Sequence, residues 1–194
     1  MLAAERERRE RFYDEINEDT NAEFINGQVV MQSPATYGHV TAVKLLAKLL
    51  DTYVERHRLG YVGTEKLLVA MPRNDYEPDV CYFRPAKAAQ FQPKQIKFPP
   101  PDFIAEVLSS TTEEKDRGVK FEDYAANGVA EYWLVDPTLE QVEQFVLREG
   151  RFVAVGTYAS GEIKSHVVQS FAIPVRAIFD AQVNLRTLGQ LAQA

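Results

Sequence analysis

The chain has 194 residues, with 22 Lys and Arg against 28 Asp and Glu, a formal net charge of −6 and one cysteine. Its 45% hydrophobic and 26% charged content excludes a disordered or fibrous chain, and one domain of this size buries roughly 70% of the surface that its unfolded form exposes. The lone Cys81 excludes an intrachain disulfide and a cysteine zinc cluster. The opening MLAAERERRERFYDE has no apolar segment of signal-peptide length, and no run approaches a membrane span, so a cytoplasmic chain without a membrane partner is expected. The acidic balance also counts against a protein that coats nucleic acid through bulk positive charge.

The first stretch, to about Asn17, is rich in Glu and Arg and reads as a charged, mostly solvated helix within residues 1–20. NAEFINGQVVMQSP alternates around Asn26-Gly27, a pair that accepts positive φ at both turn positions, so a hairpin is predicted. From Gly38 to about His57, Val40, Val43, Leu46, Leu49, Leu50, Tyr53 and Val54 recur at helical spacing, with Gly60 as a stop. Strands are predicted over Tyr61–Met71, Val80–Phe83 and Phe103–Leu108. The intervening RPAKAAQFQPKQIKFPPPD is Pro-rich and reads as a surface loop. Thr111 stands three residues before Glu114, a capping-box start for a helix that Gly128 would stop. EYWLVD, QVEQFVL and RFVAVGTY read as strands, with a Glu149-Gly150 turn and a β-rich extension over about 138–194. The order predicts one mixed α/β domain, a central mixed sheet flanked by helices.

Two acidic residues sit where a charge needs a reason. Asp79, in EPDVCYF, opens an apolar strand, and Glu106, in PDFIAEVLSS, is surrounded by Phe103, Ile104, Ala105, Val107 and Leu108. An unpaired carboxylate in such a setting costs several kcal/mol, so a cation, a basic side chain or a metal is expected beside it. If the two strands are neighbours, both carboxylates meet at one sheet edge, as hard oxygen ligands suited to Mg²⁺ or Mn²⁺. A turn cap for Asp79 and a Lys or Arg partner for Glu106 explain the same residues. Lys115, Arg117 and Lys120 follow in KDRGVK; one of them could point at that edge, and a surface ion pair of Asp116 with Lys120 at i, i+4 accounts for the spacing equally well. Cys81 reads as a buried small hydrophobe turned away from Asp79, Tyr132 and Trp133 read as core, and His57 and His166 lack metal-ligand spacing.

The run PDFIAEVLSSTTEEKDRGVKFEDYAANGVAEYWLVDP, with NAEFINGQVVMQSP, His39 and EPDV upstream, resembles the Uma2 family (DUF820) of restriction-endonuclease-like proteins, in the PD-(D/E)XK nuclease superfamily. The resemblance spans about residues 22–150. It implies a restriction-endonuclease-like core and Mg²⁺- or Mn²⁺-dependent hydrolysis of DNA, with Asp79 and Glu106 as the motif carboxylates. The residue two beyond the glutamate, often the motif lysine, is Leu108 here, and Lys120 on the next helix is the matching position. By the same resemblance, Asp79, Glu106 and the Val107 carbonyl would hold the ion, and Lys120 would orient or deprotonate a water. Glu23 would stand in for the upstream acidic residue, and His39, Lys115 and Arg117 would contact substrate. Exposed strand glutamate remains the plain alternative for Glu23, and a helix-start hydrogen bond for His39.

Three readings follow. The first is a metal-dependent DNA endonuclease, expected as a homodimer because two sites serve two strands. The second is a nuclease-fold binding or regulatory module with little catalysis, kept open by the −6 charge and the displaced lysine. The third, an acid/base pair acting on a sugar, ranks last because nothing aromatic flanks either carboxylate. On the first reading, Lys44, Lys48, Lys115, Arg117 and Lys120 would form a local basic surface offsetting the global sign.

Overall fold

A computed structural model describes residues 3–17 and 19–192; the ends of the predicted first helix and of the C-terminal extension, Met1, Leu2 and Gln193–Ala194, lie outside the described residues, as does Glu18. Helix α1 (Ala3–Glu15) is followed by the hairpin β1 (Ala22–Ile25) and β2 (Gln28–Met31), then by α2 (Tyr37–His57). Strands β3 (Tyr61–Thr64), β4 (Leu68–Ala70), β5 (Asp75–Tyr76) and β6 (Val80–Phe83) come next, with the short α3 (Pro85–Ala88), β7 (Lys97–Phe98) and β8 (Phe103–Val107). Helices α4 (Glu113–Arg117) and α5 (Val119–Ala126) lead to β9 (Glu131–Asp136), β10 (Gln141–Arg148) and β11 (Arg151–Tyr158). The chain closes with β12 (Glu162–Lys164), β13 (Ala172–Pro174), a 3-10 turn (Val175–Ile178) and α6 (Ala181–Leu191).

The strands form a six-stranded sheet in the order β11-β10-β9-β8-β6-β3, a five-stranded sheet in the order β2-β1-β5-β4-β7, and the β12-β13 pair. The larger sheet is mixed: β8 runs parallel to β9 and antiparallel to β6. Its central strands are buried on both faces. One face packs Ala105, Val107, Trp133 and Val135 against Leu46, Leu49, Leu50 and Val54 of α2 and against Ile178 and Leu191. The other packs Ile104, Tyr132 and Leu134 against Tyr124 of α5, Tyr76 and Met71. Two opposed faces covered by helices or a second sheet make the three-layered core of a mixed α/β domain.

Several elements depart from the sequence reading. The expected Tyr61–Met71 strand is two strands, because Glu65 and Lys66 adopt positive φ between β3 and β4. The expected helix after Leu108 is split at Gly118, where an added Cβ would stand 2.8 Å from the Glu114 carbonyl oxygen, and Thr112, not Thr111, precedes its first turn, without a side-chain cap bond. The Pro-rich segment is ordered: β7 pairs in parallel with β4, and Phe91 and Phe98 pack on the core. The extension after residue 138 is β-rich only in part, since it ends in α6, capped by Asp180 accepting from the amides of Gln182 and Val183. Helix α1 is charged but docked. Arg9 grips both Asp75 oxygens, at 2.6 and 2.7 Å, Tyr13 donates to Asp75 Oδ1, and Glu5 and Phe12 are buried. The Asn26-Gly27 hairpin has the expected geometry, with φ of 50° and 81°.

Candidate active site

Asp79 precedes the first residue of β6. The β6–β8 register, Val80 opposite Ala105 and Cys81 opposite Ile104, extends by one residue to set Asp79 opposite Glu106. The two carboxylates therefore meet at the end of a strand pair whose other positions are apolar. The Asp79 amide lies 3.4 Å from Glu106 Oε2, and the Val107 amide donates to Asp79 Oδ2 at 2.7 Å. Cys81 is buried in the cluster with Ile104 and Tyr124, on the Glu106 face, so it does not turn away from Asp79: residues i and i+2 of a strand share a face.

Helix α5 crosses this face and delivers Lys120. Its ammonium lies 3.0 Å from Glu23 Oε1, 3.1 Å from Glu106 Oε1 and 3.3 Å from Asp116 Oδ1. The Asp116–Lys120 pair at i, i+4 is thus real but buried, not on the surface, and Glu23 is buried against it, not exposed on its strand. Tyr124, one turn further along α5, donates to Glu106 Oε1 at 2.7 Å. Burial pulls the Lys120 pKa down, but the charges of Glu106, Glu23 and Asp116 outweigh it and hold the ammonium protonated well above the usual lysine range. Burial drives the Glu106 carboxyl well above the usual carboxylate range; Lys120 opposes this, and Asp116, Asp79 and Glu23 add to it. Asp116 is raised for the same leading reason.

Two more residues complete the surroundings. His39 Nε2 lies 3.2 Å from Asp79 Oδ1, and its backbone amide donates to Thr36 Oγ1, the cap of α2. Burial would lower the His39 pKa, but the hydrogen bond to Asp79 and the charges of Asp79, Glu65 and Asp116 raise it. Glu77, two residues before Asp79, donates its amide to Glu23 Oε1 at 3.1 Å, while its own Oε2 is buried without a partner. Burial and the charge of Glu23 push the Glu77 carboxyl up to about 7, against the opposing charge of Lys66, the Ala22 amide and Lys120.

His39, Glu77, Asp79, Glu106, Asp116 and Lys120 line one cavity of about 410 Å³, walled by residues 33–36, 109–112 and 137–138, which also admits Glu65, Lys66 and Lys115; Glu23 and Tyr124 stand behind its lining. Arg117 is not in its lining: the guanidinium is bound to Glu113 and Glu143 instead. Lys44 and Lys48 border a separate groove along α2 and β3. Asp116, Tyr124 and Glu77 escaped the sequence-based assignment. For Asp116 the i, i+4 spacing to Lys120 was the available signal, and only burial separates a site pair from a surface one.

Among the described residues, no group of three or more His, Cys, Asp and Glu forms a ready-made metal cage. The donor chemistry nonetheless suits a hard cation, since Mg²⁺ takes one or two carboxylates and keeps several waters. Glu106 Oε1 is occupied by Lys120 and Tyr124, whereas Oε2 meets only the Asp79 amide, at 3.4 Å. Glu23, Glu106 and Asp116 share the buried Lys120 ammonium, and the cavity lining carries Glu65, Glu77, Asp79, Glu106 and Asp116 against Lys66, Lys115 and Lys120. That negative excess in a recessed site favours a bound cation.

A family model described as "Uma2: Putative restriction endonuclease" matches residues 6–176. Among solved structures, a protein from Anabaena variabilis ATCC 29413, described as "a putative nuclease belonging to DUF820", is similar with a TM-score of 0.75 and 14% identity, over 88% of this chain and 96% of that one. The likeness establishes a shared mixed α/β fold. No curated protein matches the chain.

Proposed function

The chain belongs to the Uma2 family, and from that premise we propose that it is a divalent-metal-dependent endonuclease that hydrolyses DNA phosphodiester bonds. One observation carries the reading: Asp79 and Glu106 face each other across β6 and β8, beside a buried ammonium shared by three carboxylates. Asp79, Glu106 and the Val107 carbonyl would hold Mg²⁺ or Mn²⁺, which when bound supplies Lewis-acid stabilisation of phosphoryl charge and lowers the pKa of water.

The protein's own residues divide the remaining work. Lys120 is held protonated, so it acts as a donor and a fixed positive charge instead of as the base that takes a proton from water. It sets the Glu106 carboxylate through Oε1, leaving Oε2 toward Asp79, and the Tyr124 hydroxyl fixes the same oxygen. The Val107 amide orients Asp79 through Oδ2, and His39 binds Oδ1. Glu23 and Asp116 keep Lys120 charged and aimed. Lys115, on the cavity wall, supplies a cation for a neighbouring phosphate.

Purified protein is expected to cleave DNA with Mg²⁺ or Mn²⁺ and to stop when the metal is chelated. Asp79→Ala should lower the rate about a thousandfold, the equivalent of several kcal/mol of charge stabilisation, whereas the lost acceptor of the Val107 amide should cost only about 1 kcal/mol of stability and leave the variant folded. Equal cleavage by that variant sinks the reading. Calorimetric titration with Mn²⁺ should give a stoichiometric site that Glu106→Ala removes; a site without cleavage would mark a binding module instead.

A further inference from the structure

We propose that the cavity receives a single DNA strand, with one unstacked base against the Tyr37 ring, in preference to a duplex; this names the substrate class of the endonuclease reading above and rests on it. The reacting groups lie at the floor of a recess. Glu106 is 2% and Lys120 4% exposed, in a cavity of about 410 Å³, the size that takes one small ligand and not a rigid rod. A phosphate reaches that floor when its strand can bend into the recess, which an unpaired strand does at little cost and a duplex does not.

The rim points the same way. Tyr37 is 88%, Met31 64% and Leu139 63% exposed. Met31 lines the cavity itself, Tyr37 follows the lining residue Thr36, and Leu139 follows the lining residue Thr138. The two latter segments meet, since an added Cβ on Gly38 would lie 3.9 Å from Pro137 Cβ. Tyr37 and Leu139 are not themselves in the lining, but Tyr37 is exposed and joins two residues, Thr36 and Gly38, that border this wall, which is where a ring could take one of the faces of a base entering the cavity. In a duplex those faces are covered by stacked neighbours; in a single strand they are open.

Charge gives a third, independent argument. Duplex DNA carries one negative charge per about 1.7 Å, and this chain has a net charge of −6, with Glu65, Glu77, Asp79, Glu106 and Asp116 in the cavity lining against Lys66, Lys115 and Lys120. Hydroxyls of Ser33, Thr36, Ser109 and Thr111 line much of the wall, which hydrogen-bond phosphates without neutralising them. Lys115 reaches one phosphate, but the negative balance of the chain leaves little bulk neutralisation for a duplex, so stacking on an unpaired base adds affinity that only a single strand can use.

The test is fluorescence anisotropy of the full chain with a labelled oligodeoxynucleotide, alone or annealed to its complement, with Ca²⁺ present and the DNA checked for integrity on a gel. The single strand should bind about tenfold tighter or more, and Tyr37→Ala should weaken single-strand binding about tenfold, within the range of one stacked base. Tyr37→Trp should retain it, duplex binding should not respond to either change, and the exposed position should leave the thermal midpoint in place. Duplex binding as tight as single-strand binding, a Tyr37→Ala variant that binds the single strand unchanged, or no binding of either form overturns the proposal. Failure of the endonuclease reading looks different: neither form is cut in an Asp79-dependent way with Mn²⁺, while the strand preference is still read from binding. A duplex-preferring but Asp79-dependent nuclease overturns the strand proposal alone.

Discussion

Glu106 and Glu131 stand on the neighbouring parallel strands β8 and β9, and both are buried, yet their surroundings are opposites. Glu131 accepts five hydrogen bonds and, among the described residues, touches no cation: Trp133 Nε1 and Gln144 Nε2 reach Oε1 at 2.7 and 2.6 Å, while Ser165 Oγ and the amides of His166 and Val167 reach Oε2 at 2.6 to 3.0 Å. It fastens the start of β9 to the segment leading out of β12. Glu106 has two donors on one oxygen and only a 3.4 Å amide on the other, and it shares its ammonium with Glu23 and Asp116. Burial of a carboxylate therefore says nothing about function by itself. What separates a fastening from a working group is whether neutral donors saturate both oxygens or one is left for something the chain does not supply.

The largest effect expected from this contrast is on stability at Glu131. Glu131→Ala removes the acceptor of five donors, of which Gln144 Nε2 keeps the Lys164 carbonyl and the Val167 amide keeps Ser165 Oγ; stranding the others in or near the core should cost about 4 kcal/mol, read from the denaturant midpoint, while Mn²⁺ titration of the folded variant stays as in the parent. A loss below about 1 kcal/mol would break the comparison, because unsatisfied buried donors cost at least that each. Lys120→Met should follow at about 3 kcal/mol in metal-free buffer near neutral pH, since it leaves Glu23, Glu106 and Asp116 without their cation. Its cost should shrink as pH falls and Glu106 and Asp116, both raised by burial, take up protons, and cleavage should be lost at every pH. Glu131→Ala should show neither the pH response nor the specific loss of cleavage.

Local chemistry was legible in the sequence where the determinants are local. The α2 spacing, the Asn-Gly hairpin and the Asp79–Glu106 meeting all follow from periodicity, turn chemistry or strand register. Breaks within elements were not. The Tyr61–Met71 stretch read as one strand does not announce that Glu65 and Lys66 turn through positive φ, and Gly118 splits a helical pattern because its backbone passes too close to Glu114 for a side chain. Helix α6 was hidden by Gly189 and by the strands before it, although Asp180 was an available cap signal. Partners distant in sequence were the least legible. The Arg-rich start of the chain reads as solvated until Arg9 is seen on Asp75, 66 residues away, and Glu131 looks like an ordinary strand-start charge until the 165–167 segment folds over it.

Glu77 gives the pH form of the same comparison, as a buried carboxylate with one oxygen unpartnered. Its folded pKa is raised from the ordinary 4.5 to about 7. A raised carboxyl pKa means that the folded state binds the proton more tightly than the unfolded chain does. The stabilising contribution is then complete below pH 4.5 and is lost as pH rises toward and through about 7. Chelator-treated protein should therefore lose about 3 kcal/mol of stability across that window from this group, and Glu77→Gln should flatten the decline. A variant whose urea midpoints fall with pH as steeply as the parent's would show that Glu77 is satisfied in solution and belongs with Glu131.

Tyr124→Phe is the finest probe, because it removes one donor from Glu106 Oε1 and leaves Lys120 on the same atom. The hydroxyl is a neutral donor, of the kind that saturates Glu131, placed on the carboxylate that we assign to the metal. Burial and the charge of Glu106 hold its pKa well above the usual tyrosine range, so it donates throughout the accessible pH range and takes no part in proton transfer. Its loss should cost about 1 kcal/mol of stability and slow cleavage a few-fold, with the pH profile unmoved and Mn²⁺ still bound at one site. A loss of cleavage as complete as that of Lys120→Met would mean that orienting Glu106, and not the charge beside it, is the decisive contribution of α5. Full activity would mean that Lys120 alone sets the carboxylate, and that the hydroxyl is a fastening of the Glu131 kind.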